Sequence, residues 1–414
     1  MIESTIFTPC KIGPVELRNR TIRSAAFENM AFGNKVSKEL FDYHTAVARG
    51  GVGMTTVAYA AVSRSGLSFD AQLLMCEENV PDLKSLTDAI HAEGAKASIQ
   101  LGHCGNMTHR STCGRMPMGA SRGINLYAYT LVHKMTEQEI LAVVEDFRNA
   151  VMLAREAGFD CVEIHCGHGY LISQFLSPKT NHRRDRWGGD IENRMRFMRL
   201  VLTAVMEAAA DDIAVIVKTN MFDGMKGGLS VEECLTVAKE IESLGVHALV
   251  LSAGFVSKAP MSVMAGSMPI KTLAHYMPWK SMWWLKMGVS AVGKLMMPSV
   301  PYHDAYFLDT AMRFRNELKM PLIYVGGMVD KKDMERVLDN GFVAFQMARA
   351  LLNDTDFVNK LHQGLVEKSP CGHSNYCIAR MYSEPMICHH CVKDMPQRIQ
   401  NEVDDLEKKW RCEK

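Results

Sequence analysis

The sequence has almost no net charge and no long apolar run. Its 414 residues include 47 Lys and Arg against 46 Asp and Glu, which gives a formal net charge of +1 at pH 7. This balance provides no strong positive field, so we expect no nucleic acid partner. No apolar stretch of about 18 residues, the length that crosses a membrane, is free of charges, so membrane contact is not expected either.

The N-terminus and the cysteines also lack the features of an exported protein. The first residues, MIESTIFTPCKIG, have neither the basic start nor the apolar segment of a secretory signal peptide. Most of the 12 cysteines are scattered through segments that we expect to be buried, which suits reduced thiols better than a disulfide framework. We therefore expect a cytoplasmic protein, and the sequence leaves open whether it forms a homo-oligomer.

Eight short apolar runs recur along the chain, and helical patterns separate them. Such runs are typical of parallel strands covered on both faces. The expected strands are TIRSAAF (21–27), GMTTVAYA (53–60), AKASIQL (95–101), CVEIHC (161–166), IAVIVK (213–218), HALVLS (247–252), PLIYVG (321–326) and FVAFQM (342–347). Four helical patterns end at glycines that can form a left-handed C-cap, namely Gly94, Gly158, Gly245 and Gly341. The sequence therefore predicts an α/β fold, a (β/α)8 TIM barrel. Two doubly wound domains are the alternative, but neither a linker nor a GxGxxG motif after a first strand supports them.

Two long loops follow the third and sixth expected strands, at roughly 102–135 and 253–303. Both lie at the carboxyl ends of strands, where barrels place their active sites. Within the second loop, the insertion at 254–303 has no Asp or Glu, eight of the 30 methionines and three of the five tryptophans. We interpret it as a lining for a bulky apolar substrate such as a steroid or acyl chain. A helical insertion that is simply core and a membrane-surface patch are the alternatives.

The end of the fourth expected strand, HCGHGY (165–170), carries three polar side chains. A zinc site would need more ligands at neighbouring strand ends, which supply Lys, Ser and Gly instead, so we expect no metal here. His165 and His168 can donate hydrogen bonds to an oxygen on which negative charge develops, and Tyr170 can deliver a proton. None of them donates hydride, so the site requires a redox cofactor.

The other strand ends indicate which cofactor. Strands seven and eight end in Gly326–Gly327 and Ala348–Arg349, whose backbone amides and guanidinium form the usual phosphate site of this fold. Gln100, at the third strand, can both donate and accept, as recognition of a flavin edge requires. Lys218, at the fifth strand, can stabilise the anion of a reduced flavin. Together these residues predict flavin mononucleotide (FMN) across the opening of the barrel.

Longer motifs carry a resemblance to a known family. They are LRNRTIRSAAFE (17–28), ARGGVGMTTVAYAAV (48–62), QLGHCG (100–105), HCGHGYLISQFLSPKTNHRRDRWGGDIENRMRF (165–197), VKTN (217–220), YVGG (324–327) and QMAR (346–349). Over roughly residues 5 to 365 the chain resembles the Old Yellow Enzyme family, especially its branch of NADH:flavin oxidoreductases and 2,4-dienoyl-CoA reductases. The resemblance implies a barrel that binds FMN and takes NADH or NADPH as reductant.

The resemblance also implies roles for individual residues. His165 and His168 are expected to bind the substrate oxygen, and Tyr170 to donate the proton. FMN is expected to contact Ser24, Ala25, Ala26, Phe27, the backbone at Tyr59, Gln100, Lys218, Gly326, Gly327, Ala348 and Arg349. Two positions depart from the family pattern. Phe27 stands where many members have Thr or Cys beside the flavin, and Lys218 stands where several have Arg, which keeps the charge but not the bidentate geometry.

Four cysteines cluster after the barrel, in CGHSNYCIARMYSEPMICHHC (371–391). In the dienoyl-CoA reductase relatives, four cysteines of this region hold an iron–sulfur cluster. Cys371, Cys377 and Cys388 fall near three of those positions, but Ser374 stands where another cysteine is expected. Cys391 could replace it only if the loop rearranged. The resulting expectation is a metal-free segment; an iron–sulfur cluster or a zinc ion, the latter with help from the nearby histidines, are the alternatives.

These observations predict an FMN-dependent ene-reductase, with a barrel at 1–365 and a cysteine-rich extension at 366–414. NAD(P)H would supply the reducing equivalents, and the substrate would be a small-molecule α,β-unsaturated carbonyl compound. One alternative is a flavin-dependent dehydrogenase or demethylase that works in the oxidative direction. The other is a flavin-binding barrel without catalytic activity.

Overall fold

A computed structural model describes residues 4–125, 130–277 and 283–412 of the chain. Eight parallel strands close into a barrel in chain order, with β8 paired to β1. The strands are β1 Thr21–Arg23, β2 Met54–Ala61, β3 Lys96–Gly102, β4 Cys161–His165, β5 Ala214–Asn220, β6 Ala248–Ser252, β7 Leu322–Val325 and β8 Ala344–Met347. The predicted TIM barrel is therefore confirmed, with each strand inside or within two residues of the expected run.

The first strand is shorter than the sequence predicts. It ends at Arg23, whereas the apolar run continues to Phe27. Ser24 still donates its backbone N–H to Met347 O at 2.8 Å, and beyond it the chain leaves the sheet. As a result, residues 24–27 do not continue the strand.

In the described part of the chain, eight helices surround the barrel, and several of their ends follow capping rules. They are α1 Lys38–Arg49, α2 Val80–Ala92, α3 Glu137–Glu156, α4 Ile191–Ala209, α5 Val231–Ser243, α6 Leu308–Glu317, α7 Lys331–Asp339 and α8 Phe357–His362. Thr136 with Glu139, and Ser230 with Glu233, form capping boxes at the starts of α3 and α5. Gly94, Gly158, Gly245 and Gly341 all have φ between 75° and 86°, as the C-cap prediction requires.

An antiparallel hairpin covers the amino-terminal end of the barrel. Its strands, Cys10–Ile12 and Val15–Leu17, place alternate residues against the first residues of the barrel strands. Ile12 and Leu17 are buried in one apolar cluster with Met54 and Ile216. Because this end is packed, the opening that remains lies at the carboxyl ends of the strands, where HCGHGY is found.

The long loop after β3 has structure of its own. It contains the short helix Arg110–Cys113 and a three-stranded sheet formed by Met118–Gly119, Thr130–Lys134 and Gly123–Asn125, with Thr130–Lys134 in the middle. Residues 126–129 of this loop lie outside the described residues. Short helices also follow β4, β6 and β8; they are Leu171–Leu176, Met261–Met264 and Arg349–Asn353.

The insertion at 254–303 packs against the C-terminal extension. Its helix Ile270–Tyr276 lies beside the extension helices Tyr376–Arg380 and Gln397–Cys412, and its helix Trp283–Met296 lies beside Ile270–Tyr276. One apolar cluster joins Met261, Met268, Ile270, Leu273 and Ala379. Residues 278–282, including Trp279, lie outside the described part. Much of the apolar surface of the insertion is thus used for packing, and its contact with substrate stays a prediction. Among the described residues, no helix is both long and apolar enough to span a membrane.

Glu402 of the extension binds the start of the insertion helix Ile270–Tyr276. Its carboxylate accepts hydrogen bonds from Lys271 N at 3.0 Å, Thr272 N at 2.8 Å and the Thr272 hydroxyl at 2.9 Å. These donors belong to the first turn of the helix, whose N–H groups have no partner inside the helix. The extension therefore supplies the N-terminal cap of a helix that lies more than 100 residues earlier in the chain.

We expect Glu402→Ala to weaken this docking by about 1–3 kcal/mol, because three donors lose a charged acceptor. Hydrogen exchange in the peptide covering residues 270–276 should accelerate, and the matched variant Asp405→Ala, at an exposed position of the same helix, should leave it unchanged. Equal exchange in the two variants would show that the cap does not hold the insertion.

Candidate active site

His165, His168 and Tyr170 come together at the end of β4. The ring centres of His165 and His168 are 5.1 Å apart, and those of His165 and Tyr170 are 4.5 Å apart. The Tyr59 ring lies 5.0 Å from the Tyr170 ring and 6.1 Å from that of His165. The three residues that the sequence predicted as one constellation are therefore neighbours in the fold.

Backbone geometry and neighbouring side chains fix the second histidine. His168 has φ of 58°, the left-handed region that residues other than glycine seldom occupy. Its backbone N–H donates to Asn220 Oδ1 at 3.0 Å, and its Nε2 lies 2.7 Å from the Ser252 hydroxyl. Asn220 and Ser252 are the last residues of β5 and β6. The unusual turn thus directs the His168 ring towards the ends of two adjacent strands.

Both histidines are neutral near pH 7. Burial first, and then the positive charge of Lys218, lower the pKa of His168 to about 3. The pKa of His165 is also far below its usual value, because of burial first and then electrostatic effects of the neighbouring His168 and Lys218. A neutral imidazole can donate a hydrogen bond to a carbonyl oxygen without carrying a fixed charge.

One atom of this pair has no protein partner. His165 is buried, and its Nδ1 makes no hydrogen bond within the described part of the chain. An unpaired polar atom that is shielded from water costs free energy unless a ligand satisfies it. The geometry therefore indicates a polar ligand group next to His165.

Tyr170 is protonated at neutral pH and partly accessible. Burial raises the pKa of its phenol, the neighbouring Cys104 and Tyr382 raise it further, and a hydrogen bond with Ser68 opposes the increase. A phenol that holds its proton at pH 7 can serve as a general acid when a neighbouring carbanion takes the proton.

A buried carboxylate, Glu163, links four strands below this site. Its two oxygens accept from Gln100 Nε2 and Gln346 Nε2, each at 2.6 Å, and Lys218 Nζ lies 2.8 Å from Oε1. Ser24 Oγ donates to Gln346 Oε1 at 2.9 Å and lies 3.3 Å from Lys218 Nζ. The predicted flavin contacts Ser24, Gln100 and Lys218 are thus held in one network.

Glu163 and Gln346 were missed by the sequence analysis. Each is a polar residue within an otherwise apolar strand, and Glu163 is two positions before His165, so both side chains point to the same side of β4. This alternation of side chains along the strand was the signal from which Glu163 could have been predicted as a site residue. Burial lowers the pKa of Lys218, while Glu163 opposes this effect. Lys218 is therefore a paired cation, and not an isolated one.

The backbone after β7 is suited to a phosphate. Gly326 and Gly327 have φ of 134° and 72°, values that favour glycine. A Cβ at Gly327 would lie 2.9 Å from Ala305 N, so a side chain has no room there. Ala348 follows β8, and the next residue, Arg349, donates to Asn375 Oδ1 at 2.7 Å and Met264 O at 3.0 Å. These two bonds use two of the five guanidinium N–H groups.

The remaining predicted FMN contacts are the Tyr59 backbone in β2 and the residues that follow β1. The pairing of β2 and β3 is irregular between Val57 and Ala60, a bulge that takes the Tyr59 backbone out of the regular ladder. The Tyr59 hydroxyl donates to Gly66 O at 2.9 Å, and a Cβ at Gly102 would lie 2.1 Å from the Tyr59 ring. After β1, Ala25 and Ala26 lead to Phe27, whose ring stacks on Phe69 with centres 4.6 Å apart.

The donor set fits FMN. A glycine turn and Arg349 are suited to its phosphate, and Gln100 and Lys218 are suited to the polar edge of its ring system. The assignment of individual FMN contacts remains a proposal.

The C-terminal cysteines do not form a set of four. Cys371, Cys377 and Cys388 line one small cavity together with Ser374, whereas the exposed Cys391 is not among its lining residues. The Glu407 carboxylate also lines this cavity, so close to Gly372 that a Cβ there would be 2.2 Å from Glu407 Cδ. Potential ligand atoms of His389, His390 and Glu407 lie within 4.8 Å of one another. We retain the expectation of a metal-free segment.

The profile of the NADH:flavin oxidoreductase / NADH oxidase family matches residues 5–300. The chain is 38% identical over 380 residues to the 4,4'-dithiodibutanoate disulfide reductase of Rhodococcus erythropolis, which covers 92% of this chain and 93% of the relative. It is 30% identical over 389 residues to a metal reductase of Desulforamulus reducens, covering 93% of this chain but 53% of that longer protein.

The fold has a close solved counterpart. A complex of 2-naphthoyl-CoA reductase superimposes with a TM-score of 0.78 at 24% identity, over 97% of this chain. This chain corresponds to 58% of that protein. At this identity the similarity supports the fold and carries no information on substrate.

We expect anaerobically purified protein to contain well under one iron per chain, because three thiols and Ser374 do not form a complete ligand set. Iron would be measured by plasma mass spectrometry together with the visible spectrum. A content near four irons, abolished by Cys371→Ser, would contradict this prediction.

We also expect His165→Ala and His168→Ala each to weaken binding of phenolate ligands by about tenfold or more, since each removes a hydrogen bond to a charged oxygen. Binding would be followed through the long-wavelength absorbance band that phenolates give with bound flavin. If both variants keep the band and its midpoint, the histidines do not form the oxygen site.

The pH dependence provides a control for this experiment. Because the pKa of His168 is about 3 and that of His165 is also far below its usual value, we expect neither ring to gain a proton near pH 6.5. Affinity should rise with pH only as the phenol itself ionises. A change in the slope of affinity against pH near pH 6.5, the ordinary pKa of histidine, would show that one of the two rings titrates in the holoenzyme.

Proposed function

Since the chain belongs to the NADH:flavin oxidoreductase / NADH oxidase family, we propose that it reduces the C=C bond of an α,β-unsaturated carbonyl compound. The chain is an enzyme that uses FMN, with NADH or NADPH as the reductant. The overall change consumes one NAD(P)H and one proton, and yields the saturated carbonyl compound and NAD(P)+. When bound, FMN supplies the hydride that reaches the β-carbon.

The histidine pair binds the carbonyl oxygen of the substrate in this proposal. Both rings are neutral, and their centres are 5.1 Å apart with one ring edge-on to the other. The Nδ1 atom of His165 has no protein partner among the described residues. Hydrogen bonds to the oxygen strengthen as negative charge moves onto it, which lowers the barrier to attack at the β-carbon. Asn220 and Ser252 hold His168 so that this donor is in place before the substrate arrives.

Tyr170 then delivers a proton to the α-carbon. Its ring is 4.5 Å from that of His165, and its raised pKa keeps the proton on the phenol oxygen. The observation that carries the proposal is this juxtaposition of two neutral imidazoles with one protonated phenol at a single strand end. A site with these groups can both stabilise an enolate and protonate it.

Reduction of an organic disulfide is a second candidate, because a relative 38% identical over most of both chains is a disulfide reductase. One NAD(P)H and one proton would convert a disulfide into two thiols, so the electrons balance. The sulfur–sulfur bond would break, and Tyr170 could protonate the leaving thiolate. The oxidative dehydrogenase or demethylase reaction remains the alternative from the sequence analysis.

Anaerobic re-oxidation of the reduced holoenzyme distinguishes these reactions. An enone such as 2-cyclohexenone should restore the flavin absorbance if the first proposal is correct, and 4,4'-dithiodibutanoate should do so for the second. Bleaching of the oxidised enzyme by an amine, without NAD(P)H, would favour the oxidative alternative. If NAD(P)H bleaches the enzyme but no enone restores it, the ene-reductase proposal is wrong.

We expect Tyr170→Phe to leave reduction by NAD(P)H intact while slowing re-oxidation by an enone by about 10²–10⁴-fold, because only the second half-reaction places a proton on carbon. Stopped-flow absorbance measures the two halves separately. The matched control is Tyr276→Phe, which removes an insertion hydroxyl group that is hydrogen-bonded to Tyr376 of the extension. Slowed reduction with normal re-oxidation would contradict the role given to Tyr170.

A further inference from the structure

Arg349, which follows Ala348 at the end of β8, is a partly buried cation held by neutral groups. Its Nη1 donates to Asn375 Oδ1 at 2.7 Å and its Nη2 donates to Met264 O at 3.0 Å. The guanidinium carbon lies 5.7 Å from the centre of the Tyr302 ring. Within the described part of the chain, no Asp or Glu forms an ion pair with it. A guanidinium without a carboxylate partner keeps its charge and its remaining N–H groups for an anion.

Hydrogen bonds fix the orientation of the buried Asn375 amide. Its Nδ2 donates to Ala265 O at 3.0 Å and to Ser267 O at 3.1 Å, and both carbonyls belong to the insertion at 254–303. Because the NH2 group faces these two acceptors, the amide oxygen is directed to Arg349. A rotated amide would place its oxygen against two carbonyls and its N–H groups against a cation. Asn375 therefore presents Arg349 with an acceptor in a single orientation.

The backbone around Asn375 has an unusual conformation. Asn375 has φ of 56° and His373 has φ of 57°, both in the left-handed region. Asparagine adopts this region more readily than most other residues that carry a side chain. The Asn375 carbonyl accepts from Ala379 N at 3.1 Å, at the start of the helix Tyr376–Arg380. Such conformations persist where the surrounding structure determines them, and they are common at functional positions.

Two tyrosine rings connect Arg349 to the glycine turn after β7. A Cβ at Gly327 would lie 3.0 Å from Tyr306 Cδ1, so this ring packs directly on the turn. The centres of the Tyr306 and Tyr302 rings are 5.8 Å apart, and Tyr302 is the ring that the Arg349 guanidinium contacts. The glycine turn and Arg349 therefore belong to one neighbourhood, as the binding of a single phosphate requires.

We propose that Asn375 is a positioning residue for the cofactor phosphate, because it holds the Arg349 guanidinium in the orientation that binds the phosphate of FMN. The proposal rests on the FMN contact that we assign to Arg349, and it is independent of the substrate that the enzyme reduces. Preorganisation of this kind increases affinity, since the guanidinium loses less freedom when the phosphate binds.

The same contacts give the C-terminal extension a role in cofactor binding. Asn375 belongs to the extension, Ala265 and Ser267 belong to the insertion, and Arg349 belongs to the barrel. One side chain therefore joins all three parts of the chain next to the phosphate site. Retention of FMN then depends on the docking of the extension against the insertion, although Asn375 itself does not contact the phosphate in this proposal.

Titration of the full-length apoprotein with FMN and with riboflavin tests this role, because riboflavin has the same ring system without the phosphate. Binding would be followed through the quenching of flavin fluorescence. Asn375→Gly removes the amide and tolerates the left-handed backbone. We expect it to weaken FMN binding by about tenfold, since Arg349 loses the acceptor that orients it, and to change riboflavin binding by less than about twofold. Asn375→Ser replaces this variant if the glycine variant does not fold.

A double-mutant cycle separates positioning from a general loss of structure. Arg349→Gln should weaken FMN binding by about tenfold or more, because the phosphate loses its cation. In the Arg349→Gln background, Asn375→Gly should weaken FMN binding by less than about a further twofold, since the side chain that it positions is already absent. The matched control Asn401→Ala removes an exposed asparagine of the same extension, which accepts from Gln397 Nε2 at 2.8 Å, and should leave the binding of both flavins unchanged.

The outcomes distinguish the role of Asn375 from the contact on which it rests. If Arg349→Gln binds FMN as tightly as wild type, the phosphate contact is wrong and the role of Asn375 falls with it. If Arg349→Gln weakens FMN binding but Asn375→Gly does not, or if the two losses add fully in the double variant, Asn375 is not a positioning residue while the contact stands. Equal weakening of FMN and riboflavin binding by Asn375→Gly would also overturn the proposal. A reduced holoenzyme that no enone re-oxidises would contradict the ene-reductase proposal alone.

Discussion

The buried Glu163 carboxylate organises the floor of the candidate active site. It receives hydrogen bonds from Gln100 and Gln346 and an ion pair from Lys218, so it connects β3, β4, β5 and β8 inside the barrel. A buried charge is tolerated only when it is paired and fully hydrogen-bonded, and removing one partner typically costs about 3–5 kcal/mol. The positions of the residues that we assign to the flavin edge are therefore coupled to one another through this single carboxylate.

Burial also determines the protonation states of His165, His168 and Tyr170 next to Glu163. His165 and His168 stay neutral because the protein interior disfavours the charged imidazolium and because Lys218 lies nearby. Tyr170 keeps its proton for the same reason, since burial also disfavours the phenolate. One physical effect thus prepares two hydrogen-bond donors and one acid, and no residue needs an exceptional partner to reach its working protonation state.

Much of the fold and part of the site could be read from the chain. The short apolar runs predicted the barrel strands, and the glycines after α2, α3, α5 and α7 predicted where these helices end. The dense motif at 165–170 put the two histidines and the tyrosine next to one another because they are local in sequence. Glu163 and Gln346 were missed, since 183 residues separate them and nothing local indicates that they share a hydrogen bond. Asn375 was missed because nothing in the sequence of the extension links it to Arg349.

By itself, the sequence determined which segments become strands and helices and which residue types stand at the strand ends, because these depend on local propensity and burial pattern. It also specified the family through motifs that are contiguous. Only the tertiary structure decided how Lys218 is paired, that Cys391 lies apart from the other three cysteines, and that Asn375 reaches Arg349. These outcomes depend on barrel closure and on the packing of the extension against the insertion, which bring together residues that no local rule connects.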